Sequence, residues 1–192
     1  MELVIVTGLS GAGKSLAMNA LEDIGYFCID NIPAGLMPRL LEFAQQGGNL
    51  LKKVAVGLDI RGARSPQEIR DALATLDDRK VDYRVLFLEA TDDVLRRRYK
   101  ETRRTHPLAG GGVSVAQALQ KERALLQPVR DHADFVLNTS GFSASKLHSE
   151  ILNLFSDASL EDGMHVNVLS FGFKNGIPVE ADLVMDVRFM PN

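Results

Sequence analysis

The residues with the clearest chemical potential stand close to the amino terminus. Gly8-Leu9-Ser10-Gly11-Ala12-Gly13-Lys14-Ser15 follows the pattern G-x-x-x-x-G-K-[ST]. In the right setting that spacing wraps backbone N–H groups around a phosphate, with the positive end of a following helix aimed at the same point. Lys14 would then reach the β- and γ-phosphates, and the Ser15 hydroxyl would ligate Mg²⁺. The setting the pattern needs is a strand before it and a helix after it.

An acid at the end of a neighbouring strand usually completes such a metal site, because Mg²⁺ takes oxygen ligands. Val54-Ala55-Val56-Gly57-Leu58-Asp59 is an apolar run ending in an acid, and Asp59 is the first choice as a second metal-side and catalytic residue beside Lys14. Glu89, after Val85–Leu88, is its competitor. Asp30 stands where P-loop kinases often place an acid facing an acceptor, yet Asp30-Asn31-Ile32-Pro33 reads equally well as a turn before a helix.

Arg96–Arg104 carries six basic residues against one acidic. It runs into His106-Pro107-Leu108-Ala109 and then Gly110-Gly111-Gly112, the layout of a mobile lid bringing one or two arginines onto phosphate. A nucleic-acid patch and a plain solvated face are the other readings. Nine residues wind about two and a half helical turns, so the whole cluster cannot face one ligand. Cys28 reads as a core residue. The four histidines (106, 132, 148 and 165) show no ligand spacing. Asn138-Thr139-Ser140-Gly141 lies where such folds pass the nucleobase, or is a cap and turn.

The elements that must position these residues are legible as well. Short, nearly continuous apolar runs at Leu3–Val6, Tyr26–Ile29, Val54–Leu58, Arg84–Leu88 and Phe135–Leu137 have the texture of parallel strands covered on both faces. Helical stripes lie between them: Leu16, Ala20, Leu21, Ile24; Leu36, Leu40, Phe43, Ala44; Ile69, Leu73, Leu76; Val115, Leu119, Glu122, Leu125, Leu126, Val129; and Leu147, Ile151, Leu154, Phe155. Ser65 and Glu68 have the spacing of a capping box for the third. The expectation is an α/β fold of the P-loop NTPase type, a kinase-like parallel sheet with helices on both faces. The domain reading is 1–156 for this unit, a polar linker at 157–163, and 164–192 as the start of a second domain cut short or an edge addition to the main sheet, with strands at Val166–Phe171 and Leu183–Phe189 whose exposed edge invites association between copies.

Composition narrows the rest. The chain has 192 residues, 45% hydrophobic and 24% charged, with a net charge of −3, which excludes disorder and a globally basic nucleic-acid binder. One cysteine excludes a disulfide scaffold and a cysteine-based zinc site. No apolar run approaches a membrane span and no basic leader is visible, so the expectation is a cytoplasmic protein without membrane association.

The loop at Gly8–Ser15, Asp30-Asn31-Ile32-Pro33, Asp59-Ile60-Arg61-Gly62, Phe171-Gly172-Phe173-Lys174-Asn175-Gly176 and Asp186-Val187-Arg188-Phe189-Met190-Pro191-Asn192 occur here in one order. In these motifs the whole chain resembles the RapZ/YvcJ family of RNase adapter nucleotide-binding proteins. The resemblance implies binding of ATP and GTP with slow Mg²⁺-dependent hydrolysis. It carries the ATP-binding segment onto Gly8–Ser15 and the GTP-associated segment onto Asp59, Ile60, Arg61 and Gly62. It also implies a protein or small-RNA partner bound through a second domain, of which this chain holds the beginning. The leading expectation is a regulatory switch with slow ATP/GTP hydrolysis. A small-molecule kinase and an adapter using nucleotide solely as ligand are the rivals.

Overall fold

The computed structural model describes residues 2–46, 52–58, 66–102, 105–109, 112–156, 170–172, 174, 176–177 and 183–186. Contacts divide the chain into one unit over Met1–Asp157 and another over Ala158–Asn192.

In the first unit, strands β1 (Glu2–Gly8), β2 (Phe27–Ile29), β3 (Lys53–Gly57), β4 (Tyr83–Glu89) and β5 (Phe135–Asn138) form one sheet in the order β2-β3-β1-β4-β5, all neighbours parallel. Leu3 to Gly8 are buried without a break. Successive strand residues point to opposite faces, so both faces of β1 must be covered. Helices α1 (Lys14–Asp23) and α6 (Ala144–Phe155) pack together. Helix α3 (Pro66–Asp78) packs on α2 (Met37–Gln46) and α5 (Val115–Asp131), and α5 on α4 (Asp92–Thr102). Each fully buried Leu, Ile or Val of the core withholds enough apolar surface from water to contribute about 1.5–3 kcal/mol. Among the described residues, no helix is long and apolar enough to cross a membrane.

The strand order explains where a ligand belongs. The chain leaves β1 toward β2 on one side of the sheet and leaves β3 toward β4 on the other. The loops after β1 and β3 therefore diverge, opening a crevice at the carboxyl ends of adjacent parallel strands. The phosphate-type loop occupies the first of those exits.

Two of the expected stripes are displaced. Leu16 is 45% exposed, and α1 buries Ala17, Met18, Ala20 and Leu21 instead. Leu36 is 48% exposed because the chain first makes a short 3₁₀ turn over Ala34–Leu36, and Met37 takes the core position. The capping residue Ser65 lies outside the described residues. A capping box does form at α5, where Ser114 and Gln117 bond each other's backbone N–H groups.

In the second unit, residues 170–172 and 183–186 belong to no strand. The remaining residues of the strands expected at Val166–Phe171 and Leu183–Phe189 lie outside the described residues. A β-strand requires a neighbour to close its ladder.

Candidate functional site

The loop between β1 and α1 is shaped by close approaches. Gly8 has φ +135°, and a Cβ there would lie 2.0 Å from the Leu88 carbonyl oxygen. Glycine lets β1 end against β4, after which the Leu9 N–H donates to that same carbonyl at 2.9 Å. Gly13, φ +110°, caps α1 in a left-handed conformation. The Ala12 N–H donates to the Leu9 carbonyl at 3.0 Å, closing the turn.

These bonds sort the loop's amides. Those of Leu9, Ser10 and Ala12 are committed within the protein. Among the described residues, the amides of Gly11, Gly13 and Ser15 have no protein acceptor. They sit at the positive end of α1, where anions are favoured. The Lys14 ammonium lies back across the loop, donating to the Gly8 carbonyl at 2.9 Å and the Leu9 carbonyl at 3.4 Å.

A cavity of about 310 Å³ opens over the loop, lined by Ser10, Gly11, Gly13, Lys14, Ser15 and Leu16 on one side and by Asp30, Asn31, Arg98, Tyr99, Glu101, Thr102, Thr105 and Pro107 around the rest. Its size falls at the lower end for small-molecule sites. The exposed side of Leu16 is thus a cavity wall. A hollow of about 390 Å³ beside Glu2, Leu3 and Tyr83 lies at the amino ends of β1 and β4, away from the loop.

Asp30 makes the expected turn and lines the cavity. Its carboxylate accepts the Asn31 N–H at 2.7 Å, supporting a turn in which Asn31 has φ +58°, and it also faces the cavity. A Cβ on Gly57 would lie 2.2 Å from Asp30 Oδ1, so the glycine at the end of β3 makes room for this carboxylate. Asp59, Ile60, Arg61 and Gly62 lie outside the described residues. Glu89, the competing acid, is locked elsewhere: Arg130 holds both its oxygens, at 2.7 and 3.2 Å. That paired guanidinium keeps the Glu89 carboxyl below the usual carboxylate range.

The basic cluster is split by the rotation of α4. Arg96 pairs with Asp93 and Arg97 with Glu101 along the helix surface. Arg98 turns inward and donates to the Gly11 carbonyl at 3.0 Å, to Thr139 Oγ1 at 3.1 Å and to the Thr139 carbonyl at 2.8 Å. Partial burial, reinforced by the charge of Arg97, holds this guanidinium below the usual arginine range. Arg103 and Arg104 lie outside the described residues.

Thr139, 1% exposed, joins the loop to the end of β5. Its hydroxyl donates to the Ala12 carbonyl at 2.8 Å, and its N–H donates to the Glu89 carbonyl at 2.8 Å. Thr139→Val keeps the shape and removes the hydroxyl, leaving a buried carbonyl and one arginine N–H short of a partner. The expected loss is about 1–3 kcal/mol. Urea unfolding checks it through a lower midpoint at unchanged m-value.

Two residues of the site escaped the sequence reading. Glu122 was placed in the apolar stripe of α5, and it is wholly buried. Its oxygens accept the Ser10 N–H at 3.1 and 3.2 Å, the Ser10 hydroxyl at 2.6 Å and His106 Nε2 at 3.0 Å. His106 is 1% exposed, with its ring 5.2 Å from that of Tyr99. The available signal was an acid on a core-facing stripe, since a buried carboxylate must find donors. Cys28 fits the core reading: its thiol donates to the Met18 carbonyl at 3.3 Å, and burial, aided by Glu22 and Asp30, pushes it up to about 11.

A parallel five-stranded sheet with a loop of this kind between its central strand and first helix defines a protein of P-loop kinase-like fold. Solved structures agree on the fold: shikimate kinase from Bacteroides thetaiotaomicron (TM-score 0.53, 15% identity, covering 79% of this chain and 95% of that one) and the Deinococcus radiodurans tunicamycin resistance protein (TM-score 0.56, 14% identity, 80% and 94%). Residues 1–159 match the RapZ-like N-terminal domain and residues 164–192 the RapZ C-terminal domain. The chain belongs to the RapZ family. Relatives named nucleotide-binding protein come from Carboxydothermus hydrogenoformans (45% identical over 192 residues) and Symbiobacterium thermophilum (48% over 192 residues). All of this chain aligns with them, and it spans 66% and 63% of their respective lengths.

Proposed function

We propose that this chain binds a nucleoside triphosphate, ATP or GTP, with Mg²⁺ at the Gly8–Ser15 loop, hydrolyses it slowly, and serves as the nucleotide-sensing part of a regulatory protein. The observation that carries the reading is the set of amides at Gly11, Gly13 and Ser15 that find no acceptor among the described residues, gathered at the start of α1 beneath a cavity that also holds Lys14. Backbone donors fixed in advance at a helix start stabilise phosphate charge without reorganising. The naming of relatives as nucleotide-binding proteins supports the same reading.

The oxygen donors around the cavity, the Ser15 hydroxyl and the Asp30 carboxylate, suit a hard cation. Among the described residues, no group of three or more metal-ligating side chains exists. In this reading an ion is held by one or two protein oxygens and completed by phosphates. Ser15 and Asp59 would hold it. The ion would supply positive charge against the phosphate oxygens. Lys14 swings from the loop carbonyls to the phosphates, and Arg98, already at the cavity wall, supplies a further positive charge. Asp59 to Gly62 would add the GTP-associated contacts. Residues 1–156 would form the nucleotide unit, 157–163 a linker, and 164–192 the first part of the domain that carries a protein or RNA partner.

One observation favours a second reading. Asp30 stands in the cavity with the loop, where an acid could face the hydroxyl of a small phosphoryl acceptor, so a metabolite that accelerates ATP consumption while becoming phosphorylated would establish a kinase.

The metal assignment separates Asp59 from Glu89. Asp59→Asn is expected to lower Mg²⁺-dependent hydrolysis by at least about tenfold while leaving Mg²⁺-free nucleotide affinity within about twofold. Glu89→Gln is expected to lower stability through the lost Arg130 pair and to spare the metal dependence. The opposite pattern in the two variants would transfer the metal role to Glu89.

A further inference from the structure

We propose that Glu122 is a positioning residue for the phosphate loop, and that through His106 it joins the loop to residues 105–109 as one unit. The inference rests on the nucleotide reading above and extends it to a side chain that faces away from the ligand.

Three donors converge on the two oxygens of one fully buried carboxylate. Oε1 accepts from the Ser10 N–H at 3.1 Å and the Ser10 hydroxyl at 2.6 Å, and Oε2 accepts from His106 at 3.0 Å. The proton on the imidazole is fixed by its other nitrogen. The Leu108 N–H donates to His106 Nδ1 at 3.1 Å, so Nδ1 offers a lone pair and Nε2 carries the hydrogen given to Glu122. Both oxygens of the buried carboxyl group are thus supplied with partners, the condition under which a buried acidic side chain is tolerated.

This arrangement determines which way the loop faces. A carboxylate behind Ser10 draws that peptide's N–H out of the cavity, which fixes the plane from which the chain proceeds to Gly11, Ala12 and Gly13. The same carboxylate holds His106, whose neighbours Thr105 and Pro107 line the cavity opposite the loop. Glu122 lies at the middle of α5, a rigid element, and needs no contact with nucleotide to set the width between the two walls.

Glu122→Gln keeps size and shape but replaces one oxygen by an NH₂ group, which must face either the Ser10 donors or the His106 N–H. A donor then opposes a donor. The test combines calorimetric ATP affinity with hydrogen exchange of residues 8–15 in the wild-type chain, Glu122→Gln, and a control of similar stability loss on the same helix, Leu126→Ala, whose side chain is 1% exposed in the core. Glu122→Gln is expected to weaken ATP binding by at least about tenfold and to speed exchange across 8–15, whereas Leu126→Ala changes neither. If Glu122→Gln does not fold, His106→Asn carries the test, with an expected loss of about threefold and faster exchange in the same segment. Wild-type affinity and exchange in the Glu122 variant, or equal effects in Leu126→Ala, would overturn the proposal. If the wild-type chain binds neither ATP nor GTP, the nucleotide reading fails, and the exchange comparison alone decides whether Glu122 holds the loop; if it binds GTP alone, GTP takes the place of ATP in the comparison.

Discussion

Replacement of Lys14 by alanine is expected to lower triphosphate affinity at least about a hundredfold, equivalent to about 2.7 kcal/mol, while the fold persists. The size of the effect follows from the loop's own construction. Its backbone donors are neutral, and Lys14 is the ammonium within the loop itself, spanning Gly8 and Leu9 by bonds to their carbonyls. Those two bonds are partly exposed and open to replacement by water, so the fold is expected to persist without them. Displacement of a fluorescent ATP analogue reads the affinity, and far-ultraviolet circular dichroism with thermal melting reads the fold. Unchanged affinity in a folded variant would remove phosphate from this loop.

Gly8→Ala should have the largest effect on folding. The new Cβ would meet the Leu88 carbonyl oxygen at 2.0 Å and the Leu88 nitrogen at 2.6 Å. Both are backbone atoms of the central sheet and cannot swing aside. A φ of +135° adds strain for any residue with a side chain. Relief requires the ends of β1 and β4 to part, which also costs the Leu9 bond to Leu88, and the total should exceed about 3 kcal/mol. Gly11→Ala is the informative contrast. Its Cβ would lie 3.5 Å from the side chains of Leu95 and Tyr99, an ordinary contact, leaving backbone strain of about 1–2 kcal/mol. Urea unfolding of both variants checks the ranking. Equal losses would mean that left-handed strain alone, rather than the approach to Leu88, makes position 8 a glycine.

The contrast between these glycines and Glu122 shows what a linear sequence exposes. The strands and the loop are local patterns: Leu3–Val6 is continuously apolar because both its faces are covered, and the loop spacing is written in eight consecutive residues. Leu16 faces the cavity because a stripe fixes the apolar face of a helix only to within a rotation that tertiary contacts settle, and Leu36 is exposed because it lies in the 3₁₀ turn before α2. Arg98 was one of several equivalent arginines until that rotation was known. Ser10 and Glu122 are 112 residues apart, and Glu89 and Arg130 are 41 apart. No spacing rule joins such pairs, since they meet where side chains of α5 reach the loop after β1 and the end of β4. An acid in an apolar stripe announces that a donor must come, without saying from where.

The central claim is that the loop is built for the phosphates of a nucleotide, and calorimetric titration tests it most directly. ATP and GTP, each as triphosphate and diphosphate, are titrated into the chain with and without Mg²⁺. The account predicts saturable binding of one triphosphate per chain, strengthened by Mg²⁺ and weaker for the diphosphate, because Lys14 and Ser15 act where the γ-phosphate and the ion are. Absence of saturable heat with both triphosphates, or binding indifferent to the phosphates and to Mg²⁺, would contradict it.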